Sequence, residues 1–261
     1  MLPAFKTIIV KDLREIFASK STWLPMFVLP VVSSALLPLI MLSTARHNFT
    51  GLATMDMILK NAPNDPRLIS DSQKLLFIGL NKIVPMIFLI IPILTTCNIG
   101  SVSVVGEKQK NTLESLLYTP IDIRQLYLAK LTGTFGVAFL VTLACFLCFA
   151  ATASLGTISQ YGFSFLALPK WLTLIFWLCP ILILLALSVI VYISARATSI
   201  QSAMQLSTLL VLPVFFLLLS QIAGTLSLGP TRIFVLGAAL LAAGGIMFMR
   251  VLRGLTVEDL I

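Results

Sequence analysis

The residue types that could do chemistry are few in this chain. Four cysteines are present, Cys97, Cys145, Cys148 and Cys179, and one histidine, His47. Cys145 and Cys148 have the C-x-x-C spacing of a redox or metal pair. No Gly, Pro, His or charged residue frames them, and all four cysteines fall in apolar runs, where a thiol behaves as a small hydrophobe. No disulfide framework is implied. His47 sits in a polar segment and reads as a solvated loop residue; a metal centre or acid–base cluster needs companions that the sequence does not offer. We therefore expect no catalytic residues and no metal. The chain has no G-x-x-x-x-G-K-[ST] phosphate loop, so it is not expected to hold ATP itself. Asn48-Phe49-Thr50 has the form of a glycosylation acceptor, a tripeptide common by chance.

The most legible segment is Gly106-Glu107-Lys108-Gln109-Lys110-Asn111-Thr112-Leu113-Glu114-Ser115-Leu116-Leu117-Tyr118-Thr119-Pro120. Asn111 and Glu114 have the N-cap and N3 spacing of a capping box. Leu113, Leu116 and Leu117 then share one face, at i, i+3 and i+4. Pro120 biases Thr119 out of the α region and ends the helix. Asp122 and Gln125 repeat the cap spacing and restart a helix. The reading is a short amphipathic helix over 112–118, too short to span a membrane and too apolar to leave in water.

The elements that must position this segment are set by composition. Of 261 residues, 58% are hydrophobic and 11% charged, and the mean hydropathy is +1.03. Soluble domains carry about 25% charged residues. So many apolar residues behind so few charges exclude an ordinary cytosolic enzyme, a disordered chain and a disulfide-stapled secreted domain. Six stretches are long and apolar enough to span a bilayer: about 23–43, 83–105, 131–155, 171–193, 204–222 and 233–251. Apart from Arg250, next to the last residue of the sixth, none contains Lys, Arg, Asp or Glu. Strands of a β-barrel would be short and alternating. The expected fold is an all-α integral membrane domain over 1–261 with six transmembrane helices. Residues 1–22, with Phe5, Ile8, Ile9, Leu13, Ile16 and Phe17 at helical spacing, predict an N-terminal interfacial amphipathic helix and no cleavable leader. The 44–82 segment reads as one long loop, with a short surface helix over 54–59.

Trp23, Trp171, Tyr127 and Tyr192 fall near span ends, as interfacial aromatics do. Prolines within the spans, Pro30, Pro38, Pro85, Pro92, Pro180 and Pro213 among them, predict kinks. Gly237, Gly244 and neighbouring small residues predict close helix approach by the sixth span. The basic balance, +8 formally, flanks the apolar runs and points to lipid headgroups and not to nucleic acid. With the N-terminus inside, Lys6, Lys11, Arg14, Lys20, Lys108, Lys110, Arg124, Lys130, Arg196, Arg250 and Arg253 face the cytosol. Arg46, Lys60, Arg67, Lys74, Lys82, Lys170 and Arg232 face out. The excess favours both termini inside, which makes the 106–124 segment cytosolic. Thr95 and Asn98 of the second span, with Gln205 and Thr208 of the fifth, are candidate lining of a substrate pathway, or polar contacts between helices.

At Glu107-Lys108-Gln109-Lys110-Asn111-Thr112-Leu113-Glu114 the sequence resembles the permease subunits of ABC-2-type exporters. Their signature is a Glu-Lys-Glu-x-Gly-Thr-Leu-Glu-like run, a short Leu-rich helix, then Pro and the third span. Asn111 stands where the family commonly has Gly, and Gln109 where it often has an acid. Ser194-Ala195-Arg196 leading to Pro213, and the closing residues 250–261, are also similar. The resemblance implies two paired permease subunits, a homodimer or a heterodimer, each served by one copy of a cytosolic ABC ATPase. ATP and Mg would be bound by that partner and no cofactor by this chain. It implies that Glu107, Thr112, Leu113, Glu114, Leu116 and Leu117 form the ATPase-coupling contact. It also implies residence in a cell membrane, a bacterial cytoplasmic membrane by preference, and export of an amphipathic or hydrophobic substrate such as a peptide, an antibiotic or a lipid-like molecule. The rivals are an ion-coupled carrier, which would bury charges in its spans, a membrane-embedded enzyme, a structural or assembly subunit and an ion-extruding permease.

Overall fold

The computed structural model describes residues 27–46, 70–109, 123–194, 199–222 and 229–254. The expected interfacial helix at 1–22, the surface helix at 54–59 and the helix at 112–118 lie outside them. The described residues are helical, with no strand among them. We label the helices α1 (Leu29–Arg46), α2 (Asp71–Ile78), α3 (Val84–Phe88), α4 (Ile90–Gln109), α5 (Ile123–Tyr161), α6 (Leu168–Thr173), α7 (Cys179–Ser194), α8 (Ile200–Thr208), α9 (Val211–Ile222) and α10 (Pro230–Gly254). α2 to α4 run on as one span, as do α6 and α7, and α8 and α9.

Four of these continuous helices are long and apolar enough to cross a membrane: Asp71–Gly106, Leu128–Tyr161, Leu168–Ser194 and Ile200–Ile222. The apolar stretches of α1 and α10, Pro30–Ala45 and Thr231–Ile246, are shorter. The second span begins well before residue 83. Ser70 caps it, with the Ser70–Gln73 capping box closed by Ser70 N donating to Gln73 Oε1 at 3.2 Å. Part of the expected 44–82 loop is therefore helix.

Pro38 sits within regular helix, but three other span prolines act in a recurrent way. A π-helical turn at Gly79–Ile83 ends two residues before Pro85, and another at Leu174–Leu178 ends two residues before Pro180. Residues 27–28 are π-helical two residues before Pro30. A proline ring crowds the carbonyl four residues back and gives it no N–H, and the wider i→i+5 turn relieves that crowding. Pro213 acts differently. Ahead of it, Leu209 N, Leu210 N and Leu212 N donate to the carbonyls of Leu206, Ser207 and Leu209 at 3.1–3.2 Å, tight i→i+3 turns that divide α8 from α9.

The core lies where the second, third and fourth spans meet. Trp171 is fully buried, with its ring centroid 4.6 Å from Phe149, 5.4 Å from Phe88 and 5.7 Å from Phe146. The expectation of an interfacial Trp171 is corrected: three facing phenylalanines offer its ring more apolar area than the headgroup region does. Tyr192, 48% exposed, keeps the open setting expected of a span end. Cys97, Cys145 and Cys179 are buried, Cys148 is half-buried, and all are free thiols. Around this core α1 packs on α5, α8 on α4, and α10 on α7. The approach of α10 is close at Gly237, where a Cβ would stand 2.5 Å from Trp177 Nε1. Trp177 in turn stacks on Phe234 at 4.5 Å.

Candidate coupling and pathway site

At one end of the bundle, α4 closes at Gln109 and α5 opens at Ile123. The two helices pack along each other, so residues 110–122 join neighbours in space. Glu107 lies on the last turn of α4. Thr112, Leu113, Glu114, Leu116 and Leu117 lie outside the described residues. Just inside this end, Val104 and Leu131 share an apolar cluster with Ala138, Ile183 and Leu187. Beside it, Lys130 is 4% exposed and its Nζ donates to Ser103 O at 2.9 Å. The sequence places Lys130 at a span edge with its charge in water; the structure turns it inward.

The four pathway candidates do not share one surface of the chain. Thr95 is buried on α4, its hydroxyl donating back to Ile91 O at 2.8 Å and Pro92 O at 3.2 Å. Asn98, a turn further, is half-buried. Gln205 and Thr208 are exposed on α8 beside Gln201, at i, i+4 and i+7, and Thr208 Oγ1 donates to Met204 O at 2.7 Å. The opposite side of α8 meets α4. There Cys97 Sγ donates to Ser207 O at 3.5 Å, and Ala203 packs on Val105. The fifth span is the least enclosed of the four long ones, 17% buried against 44–67% for the others. Its outer side carries Leu209, Leu212, Phe215, Phe216 and Leu219, all exposed.

The other end of the bundle holds a polar clasp that the sequence did not disclose. Gly162, at φ +80°, ends α5, with its N–H on Ile158 O at 2.9 Å. The chain then folds inward and buries Phe165 and Leu166. Asn81, 4% exposed in the first π-turn, holds this fold. Its Nδ2 donates to Phe77 O at 3.1 Å and to Phe165 O at 2.6 Å, and its Oδ1 accepts from Ala167 N at 2.8 Å. Lys170 Nζ donates to Asn81 O, the carbonyl that Pro85 cannot serve.

A bundle of helices, four of them long and apolar enough to cross a bilayer, defines a polytopic membrane protein. Among the described residues no group of His, Cys, Asp or Glu is placed to hold a metal. A family model described as ABC-2 family transporter protein matches residues 53–236. The chain belongs to that family. It is the membrane-spanning component of an ABC transporter, a class that works with an ABC ATPase. No curated protein matches the chain.

Proposed function

We propose that this chain is the permease subunit of an ABC exporter whose ATP hydrolysis takes place on a separate cytosolic ATPase, which binds the ATP and Mg. One observation carries the reading. Two long, mutually packed helices, α4 and α5, are joined by the segment whose sequence places Leu113, Leu116 and Leu117 on one face between a cap and a proline stop. An ATPase that grips this segment pushes on two spans at once. Burying one leucine of that face stabilises the contact by roughly 1.5–3 kcal/mol, whereas exposed ion pairs from Glu107 and Glu114 add about 0–1 kcal/mol each. Thr112 then belongs to the first turn of the docking helix.

The working unit is two permease chains with two ATPase copies. The weakly enclosed fifth span supports a pairing surface on α8 and α9, where exposed apolar residues flank the polar edge of Gln205 and Thr208. That edge and Asn98 line the pathway between copies. Thr95 joins the lining when α4 and α8 part along the Cys97–Ser207 seam. Spans without interior acids suit an amphipathic or hydrophobic substrate in a bacterial cytoplasmic membrane.

The test replaces Leu116 and Leu117 together with Asp in purified permease and adds the ATPase subunit. Co-purification of the ATPase should be lost while the permease stays monodisperse. Undiminished co-purification refutes the coupling assignment.

A further inference from the structure

Lys130 is a charged side chain held inside the bundle. A lysine at a membrane boundary ordinarily runs its ammonium outward along its flexible stem. Here 4% of the residue is exposed and Nζ turns to a main-chain carbonyl of the neighbouring span, Ser103 O, at 2.9 Å. Burying an ammonium is costly, so its presence calls for a role that an apolar residue cannot fill. The position of the bond supplies one. Ser103 lies six residues before the end of α4 at Gln109, and Lys130 seven residues after the start of α5 at Ile123. The bond thus ties the two helices at matched depth, about two turns in from where the 110–122 segment leaves one and enters the other. The flanking contact of Val104 with the Leu131 cluster is apolar and non-directional, and lets helices slide. A charge-assisted bond to a carbonyl fixed in a helix is directional and resists both sliding and separation.

We propose that Lys130 is a positioning residue for energy transmission: it locks α4 and α5 into one rigid body at the root of the 110–122 segment. A push delivered there then moves the second and third spans together and is not spent in prising them apart. The proposal rests on the coupling reading above, and the two fail separately. Loss of that reading shows in ATPase binding by the Leu116/Leu117 variant. Loss of this one shows in the helix movements that come after binding.

The experiment uses the full permease with its ATPase in nanodiscs and tracks deuterium exchange with and without ATP plus vanadate. Lys130→Met keeps the stem and removes the ammonium, and Lys130→Arg restores a donor. Wild-type complex should change protection along both α4 and α5 on trapping. Lys130→Met should still bind ATPase and hydrolyse ATP. Its 103–109 and 123–130 peptides should exchange roughly tenfold faster at rest, and the trapping-dependent change in α5 should vanish. Lys130→Arg should recover both. Trapping-dependent changes in Lys130→Met equal to wild type overturn the proposal, as does loss of ATPase binding in a monodisperse Lys130→Met. Should Lys130→Met not yield folded protein, Lys130→Gln is read against the same outcomes.

Discussion

Replacing Asn81 with Leu removes a clasp whose strength can be worked out from its geometry. The side chain makes three hydrogen bonds, at 3.1, 2.6 and 2.8 Å, in a site 4% exposed. Phe77 O keeps its helical setting without Asn81. Phe165 O and Ala167 N sit in the inward fold after Gly162 and lose the partners that Asn81 supplies. Stranding a buried polar group costs about 1–3 kcal/mol, so two of them cost roughly 2–6 kcal/mol. The added apolar side chain offsets part of this, by up to about 1.5–3 kcal/mol if it packs fully. Taking the middle of each range, a net loss of about 2 kcal/mol remains, which for a chain of this size lowers Tm by roughly 4–8 °C. The assay is thermal unfolding of detergent-purified permease monitored by tryptophan fluorescence, to which the buried Trp171 contributes. Ser43→Ala is the control. Its exposed hydroxyl bonds back to Ile40 O at 2.8 Å within its own helix, and its shift should stay below about 2 °C. An Asn81→Leu protein that melts with the control refutes the claim that this amide holds the end of the bundle together.

Two further outcomes are expected. A membrane-impermeant maleimide applied to intact cells should label a cysteine placed at Asn64 and spare one placed at Asn111; reversed labelling overturns the assignment of the coupling segment to the cytosol. Gly237→Val should displace the Trp177 indole from its stack on Phe234 and destabilise the protein by about 1–3 kcal/mol, seen as a shifted emission maximum and a lower Tm. Gly245→Val, with nothing within 4 Å of its added Cβ, should leave both unchanged.

The chain's hydropathy discloses helices because a span has to be apolar along its whole length: among the described residues the predicted stretches fall on helices, of which four are long and apolar enough to cross a membrane. What it does not disclose is which way a side chain turns. Trp171, Lys130 and Lys170 all stand at span edges, where the same residue types serve equally as interfacial anchors. All three turn inward here, because Phe88, Phe146 and Phe149, the Ser103 carbonyl and the Asn81 carbonyl are waiting on other helices. Those partners lie tens of residues away, so no local pattern reveals them. The early start of the second span was readable from Ser70 and Gln73, a capping pair overshadowed by the polar run around it. Proline positions announced irregular helix but not its form. The turn widens before Pro85 and Pro180 and tightens before Pro213, a difference that the proline itself does not announce. For the site, the polar edge of Gln205 and Thr208 falls on an exposed side of α8 as its spacing implies, whereas the leucine-faced segment lies outside the described residues. Sequence could not tell that Thr95 points into the bundle while Gln205 and Thr208 point out of it.

The length of α5 makes the third span a lever. Its 39 residues form one unbroken α-helix, about 58 Å long, against a hydrocarbon core of about 30 Å. The rod therefore overhangs the bilayer. With α4 tied to it at Ser103–Lys130, the pair has a short arm of about 10 Å from Ile123 to Lys130 and a long arm of about 46 Å from Lys130 to Tyr161. A tilt of the tied α4–α5 pair about that depth that moves the short end by about 1 Å moves the far end by about 4 Å, at an equally reduced force. That far end is the turn at Gly162, next to the inward fold gripped by Asn81. On the coupling reading, a small stroke delivered at the Ile123 end becomes a wide, weak one near Gly162, resisted there by the Asn81 hydrogen bonds and by the packing of Phe146 and Phe149 on Trp171.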